Sequence, residues 1–327
     1  MNYTPLQTAA KRSIFLLILA AALAFSIRGQ DEDSVRIETN LVNINVAVTD
    51  GRGNHVDGLK RENFEIFDNK TRQTITHFSA EDAPVSFGII YDMHPTTPER
   101  TAMVLESLQK FVKGLGEKDD FFTVVFNKRG SLILDFVPTS EQIETQLGDR
   151  YREPNALYDA IYLAAEKIRR RPNLKRVLLV ITDSADHNSE HSFSDILERM
   201  KTLDAQVYAV LWDQTEKWEY ADVTKNGRPR PLLSGDADRL DRASLGELTK
   251  KTGGDLRTPA TDDAGELLRI YDQIASEMRR QYALGFYPPA VGDGRWHDLK
   301  IKLTSVKKGR KIVLNYRRGY QSPKSEQ

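Results

Sequence analysis

Two apolar runs, each closed by an aspartate, limit the fold of this chain most tightly. Val85-Ser86-Phe87-Gly88-Ile89-Ile90-Tyr91 ends on Asp92, and Val177-Leu178-Leu179-Val180-Ile181-Thr182 ends on Asp183. Neither alternates polar with apolar, so each reads as a strand buried on both faces, as central strands of a parallel sheet are. Residues at helical spacing surround them. Val104, Leu105, Leu108, Phe111, Val112 and Leu115 follow the first run; Leu157, Ala160, Ile161, Ala164 and Ile168 precede the second; Phe193, Ile196, Leu197, Met200 and Leu203 come after it. Further strands are expected over 121–126, 132–137 and 207–212, then a last helix through Leu267, Leu268, Tyr271, Ile274 and Met278, and a final strand at 282–287. Strands alternating with helices predict an α/β domain over 85–287, built on a doubly wound, mostly parallel sheet.

The flanks have a different rhythm. Val42, Ile44, Val46 and Val48 alternate with Asn43, Asn45 and Ala47, and short strands are expected at Phe64–Phe67 and Gln73–Phe78, giving an N-terminal β segment over 34–84. Beyond Pro288-Pro289, His297–Leu303 and Lys311–Tyr316 alternate around Lys307-Lys308-Gly309-Arg310 and read as a C-terminal hairpin within 288–320. Both flanks are expected to build one small β-sandwich-like unit. Asp213–Arg242 reads as a long polar loop, Thr252-Gly253-Gly254-Asp255 as a turn at a helix C-terminus, and 321–327 as a disordered tail.

At the start, Lys11 and Arg12 precede an apolar run from Ile14 to Ile27 with small residues at Ala22 and Ala24. That is a basic region, an apolar region and an A-x-A-like cleavage site, so 1–28 reads as a secretory signal peptide. As a helix the run is ~21 Å long, against the ~30 Å of a bilayer core, so no stable membrane span is expected. The protein is expected to be exported to the periplasm or beyond the cell, with a retained N-terminal anchor as the alternative. Lysine plus arginine and aspartate plus glutamate both count 47; a balanced chain lacks the basic excess of a nucleic-acid binder. The absence of cysteine excludes disulfides, thiolate metal sites and cysteine nucleophiles. No G-x-G-x-x-G follows the Val85 strand, and neither a P-loop nor G-x-S-x-G occurs, so the chain is not expected to be an enzyme.

Open parallel sheets bind ligands at the carboxyl ends of their strands, where Asp92 and Asp183 fall. Asp92-Met93-His94-Pro95-Thr96 resembles the D-x-S-x-S motif of von Willebrand factor A-type domains, and Leu157-Tyr158-Asp159-Ala160 and Ile181-Thr182-Asp183 sit where that family keeps its other two metal loops. The flanks, through Gly58-Leu59-Lys60-Arg61-Glu62-Asn63-Phe64 and Tyr316-Arg317-Arg318-Gly319-Tyr320, resemble the secreted bacterial branch called VWFA-related, acidobacterial type. The resemblance implies an interaction module whose divalent cation, held by oxygen ligands, is completed by an acidic side chain of a protein partner. Carried over residue by residue, it implies ligands at Asp92, His94, Thr96, Asn155 and Asp183. Asp92 and Asp183 match the family, Thr96 keeps a hydroxyl, and His94 and Asn155 stand where the family has serine and threonine. Magnesium, or manganese as the more imidazole-tolerant ion, is the cation implied; an empty relic of such a site is the other reading.

A rival reading comes from His187-Asn188-Ser189-Glu190-His191, which matches the H-x-x-E-H string of inverted zinc proteases. A metal-dependent hydrolase would use His187 and His191 as ligands and Glu190 as base. That chemistry needs both histidines on one helical face, whereas helical spacing begins only at Phe193. Trp218 and Tyr220, in the polar loop leaving a strand's carboxyl end, are candidate partner contacts, with packing against the loop base as the alternative.

Overall fold

The computed structural model describes residues 41–52, 54–80, 82–92, 98–127, 130–139, 141–142, 156–182, 186, 189–211, 222–223, 229–230, 234–288, 293–304 and 311–322. All of them belong to one compact unit, Asn40–Gln327. In chain order the elements begin with β1 (Val42–Asp50), β2 (Phe64–Asp68), β3 (Thr71–Gln73), β4 (His77–Ser79), β5 (Val85–Asp92), α1 (Pro98–Lys113), β6 (Asp120–Asn127) and β7 (Gly130–Leu134). They continue with α2 (Leu157–Ile168), β8 (Lys175–Thr182), α3 (Phe193–Lys201), β9 (Gln206–Leu211), β10 (Asp222–Val223), β11 (Pro229–Arg230) and α4 (Ser234–Thr252). The last are β12 (Leu256–Arg257), α5 (Ala264–Arg279), β13 (Tyr282–Phe286), β14 (Trp296–Leu303), β15 (Ile312–Asn315) and β16 (Gly319–Gln321).

Six strands form the central sheet in the order β12-β9-β8-β5-β6-β7, parallel except for β7, which runs antiparallel to β6 at one edge. Apolar side chains leave both faces. Val85, Phe87, Ile89 and Tyr91 of β5 join Leu108 and Phe111 of α1 and Leu267, Tyr271 and Ile274 of α5. Ile90, Phe122, Val124, Leu178 and Val180 meet α2, α3 and α4 on the opposite face. Helices on both sides explain why β5 and β8 carry unbroken apolar runs. From β5 the chain moves to β6, and from β8 it moves the other way to β9. The strand order therefore reverses between β5 and β8, and the crevice outside their carboxyl ends is the switch point of the sheet. This topology is compatible with a von Willebrand factor A-like or Rossmann-like arrangement.

The remaining long strands make two four-stranded antiparallel sheets, β15-β1-β13-β4 and β16-β14-β2-β3. Val42, Ile44, Val46, Leu284 and Phe286 from the first share one core with Phe64, Ile66, Leu299 and Ile301 from the second.

Five expectations change. The segment 282–287, assigned to the α/β domain, supplies β13, which lies between β1 and β4 (Val42↔Phe286 to Val46↔Tyr282). The hairpin over 288–320 does not form: β14 pairs with β2 and β16, while β15 pairs with β1 in the other sheet. Alternation marks a half-buried strand without naming its partner, and the non-local pairings let both inner faces enter one core. The run Gln73–Phe78 divides at Thr74–Thr76 into β3 and β4, again one in each sheet. Finally, the polar stretch 213–242 turns helical at Ser234, and the tail stays paired as far as Gln321, opposite Trp296.

Gly253, just past α4, has φ +86°, and a Cβ there would lie 2.4 Å from the Tyr316 carbonyl carbon. Two costs coincide at that position, a left-handed backbone and a collision with the Tyr316–Arg317 backbone. Gly253→Ala should therefore destabilise the protein by about 2–4 kcal/mol in denaturant titration; a loss below ~1 kcal/mol would mean the two segments separate easily.

A charged cluster closes the second sheet. The buried His297 ring bonds Asp68 through Nδ1 (2.8 Å) and Asp293 through Nε2 (3.2 Å), and the Tyr320 hydroxyl donates to Asp68 (2.9 Å). Burial disfavours the charged ring, but the two carboxylates outweigh it and raise the histidine pKa above its ordinary value. A raised folded pKa contributes stability that is full below the ordinary histidine range and fades as pH rises through the raised value. The stability gap between wild type and His297→Gln should thus be larger at pH 5.5 than at pH 9, both values being about a unit or more outside the ordinary range. A gap that is the same or larger at pH 9 would show that the neutral ring alone does the packing.

Candidate functional site

The switch-point crevice is built from the last residues of β5 and β8. Asp92, buried, ends β5; Tyr91 pairs with Ile181, so Thr182 comes level with Asp92 on the neighbouring strand. The Thr182 hydroxyl donates to Asp92 Oδ2 at 2.7 Å. A carboxylate removed from water needs charge-stabilising partners, and Thr182 is one of them. The strands place this pair through backbone ladders on both sides of β5, so it rests on rigid structure rather than on a loop.

A second layer of polar contacts joins α2 to the segment after β8. Ala156, at the N-cap of α2, has no side chain able to cap the helix. Asp186 Oδ1 accepts the Tyr158 N–H (3.1 Å) and Ser189 Oγ accepts the Asp159 N–H (3.1 Å), while the Ser189 hydroxyl donates to Asp186 Oδ1. These groups satisfy amides that the first turn of any helix leaves open. In return, Asp159 accepts the N–H groups of Glu190 (3.0 Å) and His191 (2.9 Å) and bonds His191 Nδ1 at 2.7 Å. Burial would raise the Asp159 carboxyl, yet these bonds prevail and hold it below the usual carboxylate range. The His191 ring stacks on Tyr162 with centroids 4.0 Å apart.

Of the residues singled out in the sequence, Asp92 stands at the carboxyl edge as expected. Glu190 and His191 precede α3, which starts at Phe193 behind its Ser192 cap, so the histidine string does not run along a helix at its described end. The His191 ring is engaged by Asp159 and Tyr162. His94, Thr96, Asn155, Asp183, His187, Trp218 and Tyr220 lie outside the described residues. Among the described residues no three His, Asp or Glu side chains are grouped to hold a metal ion. Sequence reasoning placed Thr182, Asp159 and Ser189 within motifs without giving them a role, and it passed over Asp186. The available signals were a hydroxyl closing an otherwise apolar strand and a helix starting at alanine, which must find its cap elsewhere.

No family model matches the chain, and no curated protein matches it in sequence. Among solved structures it is similar to proximal thread matrix protein 1 of the mussel byssus, at 13% identity over 60% of this chain and 48% of that one, with a TM-score of 0.41. A von Willebrand factor type A protein from Catenulispora acidiphila gives 10% identity over 83% of this chain and 76% of that one, TM-score 0.40. The PilB minor pilin of Streptococcus sanguinis gives 8% over 61% and 62%, TM-score 0.36. The chain thus spans about half the length of the mussel protein.

The contacts around Asp159 generate a prediction. Asp159→Ala removes the acceptor for three donors and should cost about 1–3 kcal/mol of stability, measured by chemical denaturation. Asp159→Asn keeps two neutral bonds and should cost less. Equal losses in the two variants would mean that side-chain volume, not hydrogen bonding, is what matters there.

Proposed function

We propose that this chain is an exported protein-interaction module of the von Willebrand factor A type, carried on a β-sandwich-like unit made from both flanks of the chain. Its working surface is the carboxyl edge of the six-stranded sheet, where a degenerate cation site draws on Asp92, His94, Thr96, Asn155 and Asp183. The partner is a protein that presents an acidic side chain to the cation, and the module itself catalyses nothing. What supports this reading above all is the buried Asp92 carboxylate at the strand-order reversal, bonded across it by Thr182 at 2.7 Å. An anion buried at a switch point suits a cation or a cationic group better than it suits an empty crevice. No helix among the described residues is long and apolar enough to cross a membrane. The hydrolase reading through His187, Glu190 and His191 gains no support, since His191 is already tied to Asp159 and Tyr162.

An imidazole at position 94 would crowd an all-oxygen shell, so manganese should bind more tightly than magnesium. His94→Ser should strengthen magnesium binding, and Asp92→Ala should abolish any rise in melting temperature that a cation produces in the wild type. Titration calorimetry on the three proteins, with capture of partners in the presence and absence of chelator, tests the reading. If no cation binds the wild type and His94→Ser gains nothing, the site is a relic and any partner is held by another surface.

A further inference from the structure

A cleft of about 320 Å³ opens where the end of α4 meets the segment between β15 and β16. It lies before β12, which runs parallel to β9, so it is at the amino ends of the strands, away from Asp92. Its shape is fixed by close backbone approach. A Cβ on Gly253 would strike the Tyr316–Arg317 peptide, and one on Gly254 would lie 2.0 Å from the Val207 carbonyl oxygen. Backbone bonds from Arg318 N–H to Lys251 O (3.1 Å) and from Leu299 N–H to Arg318 O (2.8 Å) pin the wall that carries Arg318.

The charges in the cleft differ from those around it. Neighbouring cations are paired: Lys251 with Glu247 (2.8 Å), Arg257 with Glu277 (2.8 Å) and Arg317 with Asp204 (3.7 Å). Lys250 and Arg318, which line the cleft, have no carboxylate within ion-pair distance among the described residues. The Arg318 guanidinium lies 4.5 Å from the Tyr316 ring centroid, so one face of its plane is covered while its N–H edge can still bind. Asp255, the one acid in the lining, has one oxygen bonded to the Leu256 N–H and the other 3.7 Å from Arg257 Nε, an exposed contact long enough for a ligand's donor to share. Two cations, one carboxylate and the negative end of α4 leave a net charge near +1 or less, which suits a singly charged carboxylate better than a phosphate dianion.

We propose that this cleft binds a small α-hydroxy or α-amino acid. Its carboxylate meets the Arg318 fork and the Lys250 ammonium, and its hydroxyl or ammonium donates to Asp255. A cleft of this volume has room for a molecule of that size. The inference is independent of the cation site, which lies at the other end of the strands.

The test is titration of the full chain with L-lactate, L-serine, acetate and inorganic phosphate, followed by calorimetry and melting temperature. Lactate or serine should bind more tightly than acetate, and phosphate least. In Lys250→Gln/Arg318→Gln the favoured acid should bind about tenfold more weakly or worse. Both side chains are exposed, so the melting temperature without ligand should hold. Arg318→Lys, which keeps the charge and loses the fork, should fall between the two and serves if the double variant misfolds. Asp255→Asn should bring lactate and serine down to the level of acetate. The proposal is overturned if no acid binds, if phosphate binds as well as lactate and serine, or if the variants bind like the wild type.

Discussion

A buried polar joint links the two sheet systems where the chain passes from one to the other. The Lys175 ammonium, almost fully buried at the start of β8, donates to the carbonyls of Arg279 and Gln281 at the end of α5. The Gln281 amide donates to Gln206 at the start of β9, and the Gln206 amide reaches the carbonyl of Asn45 in β1. Burial pushes the Lys175 pKa down to about 8, so the contacts it makes do not fully replace the water it has lost. A group so poorly solvated has value only if its geometry is held, and here it sets the point at which the chain leaves α5 and enters the antiparallel sheet as β13. Once β13 is fixed, β1 and β4 have their partner, and β15 follows on β1.

From that joint the arrangement divides the molecule by solvent access. The central sheet is covered by helices on both faces and can afford unbroken apolar strands. The two antiparallel sheets pack their inner faces together, and β14 alternates accordingly: His297, Leu299 and Ile301 are buried while Trp296, Asp298, Lys300 and Lys302 are exposed, whereas in β1 Asn45 and Ala47 of the other face are buried too. The inward histidine is tolerated because two carboxylates compensate its charge, which ties residues from both ends of the chain (Asp68, Asp293 and Tyr320) into one cluster. Such a cluster favours a unique register, because shifting β14 by one residue would expose the histidine and bury a lysine.

The carboxyl edge and the cleft beside α4 use the fold differently. At the edge, ladders on both sides of β5 position a buried carboxylate, and the contacts of Asp159, Asp186 and Ser189 tie the start of α2 to the segment after β8. At the cleft, glycines permit close packing of backbones and leave two cations facing a gap. The first arrangement offers negative charge in a crevice, the second offers positive charge in a cavity. Opposite ends of one sheet therefore present opposite chemistry, with the strands between them as a rigid spacer.

Local physics in the sequence determined the central strands, four of the five helices described beside them, α4 being the exception, and the position of Asp92. An unbroken apolar run has few ways to be buried, and helical spacing repeats within a few residues. The turn at Gly253 was legible for the same reason, as a glycine pair just past a helix. Tertiary structure alone decided which half-buried strands pair. β14 and β15 alternate equally well, and their choice of β2 and β1 over each other depends on two inner faces finding a common core, an interaction between residues more than two hundred positions apart. It also decided the partners of the site: Thr182 reaches Asp92 because β5 and β8 are neighbouring strands in register, and Asp159 reaches His191 because α2 packs beside the segment after β8. Spacing along the chain carries information about contacts within a turn or a strand, while hydrogen bonds across a sheet depend on which strands have become neighbours.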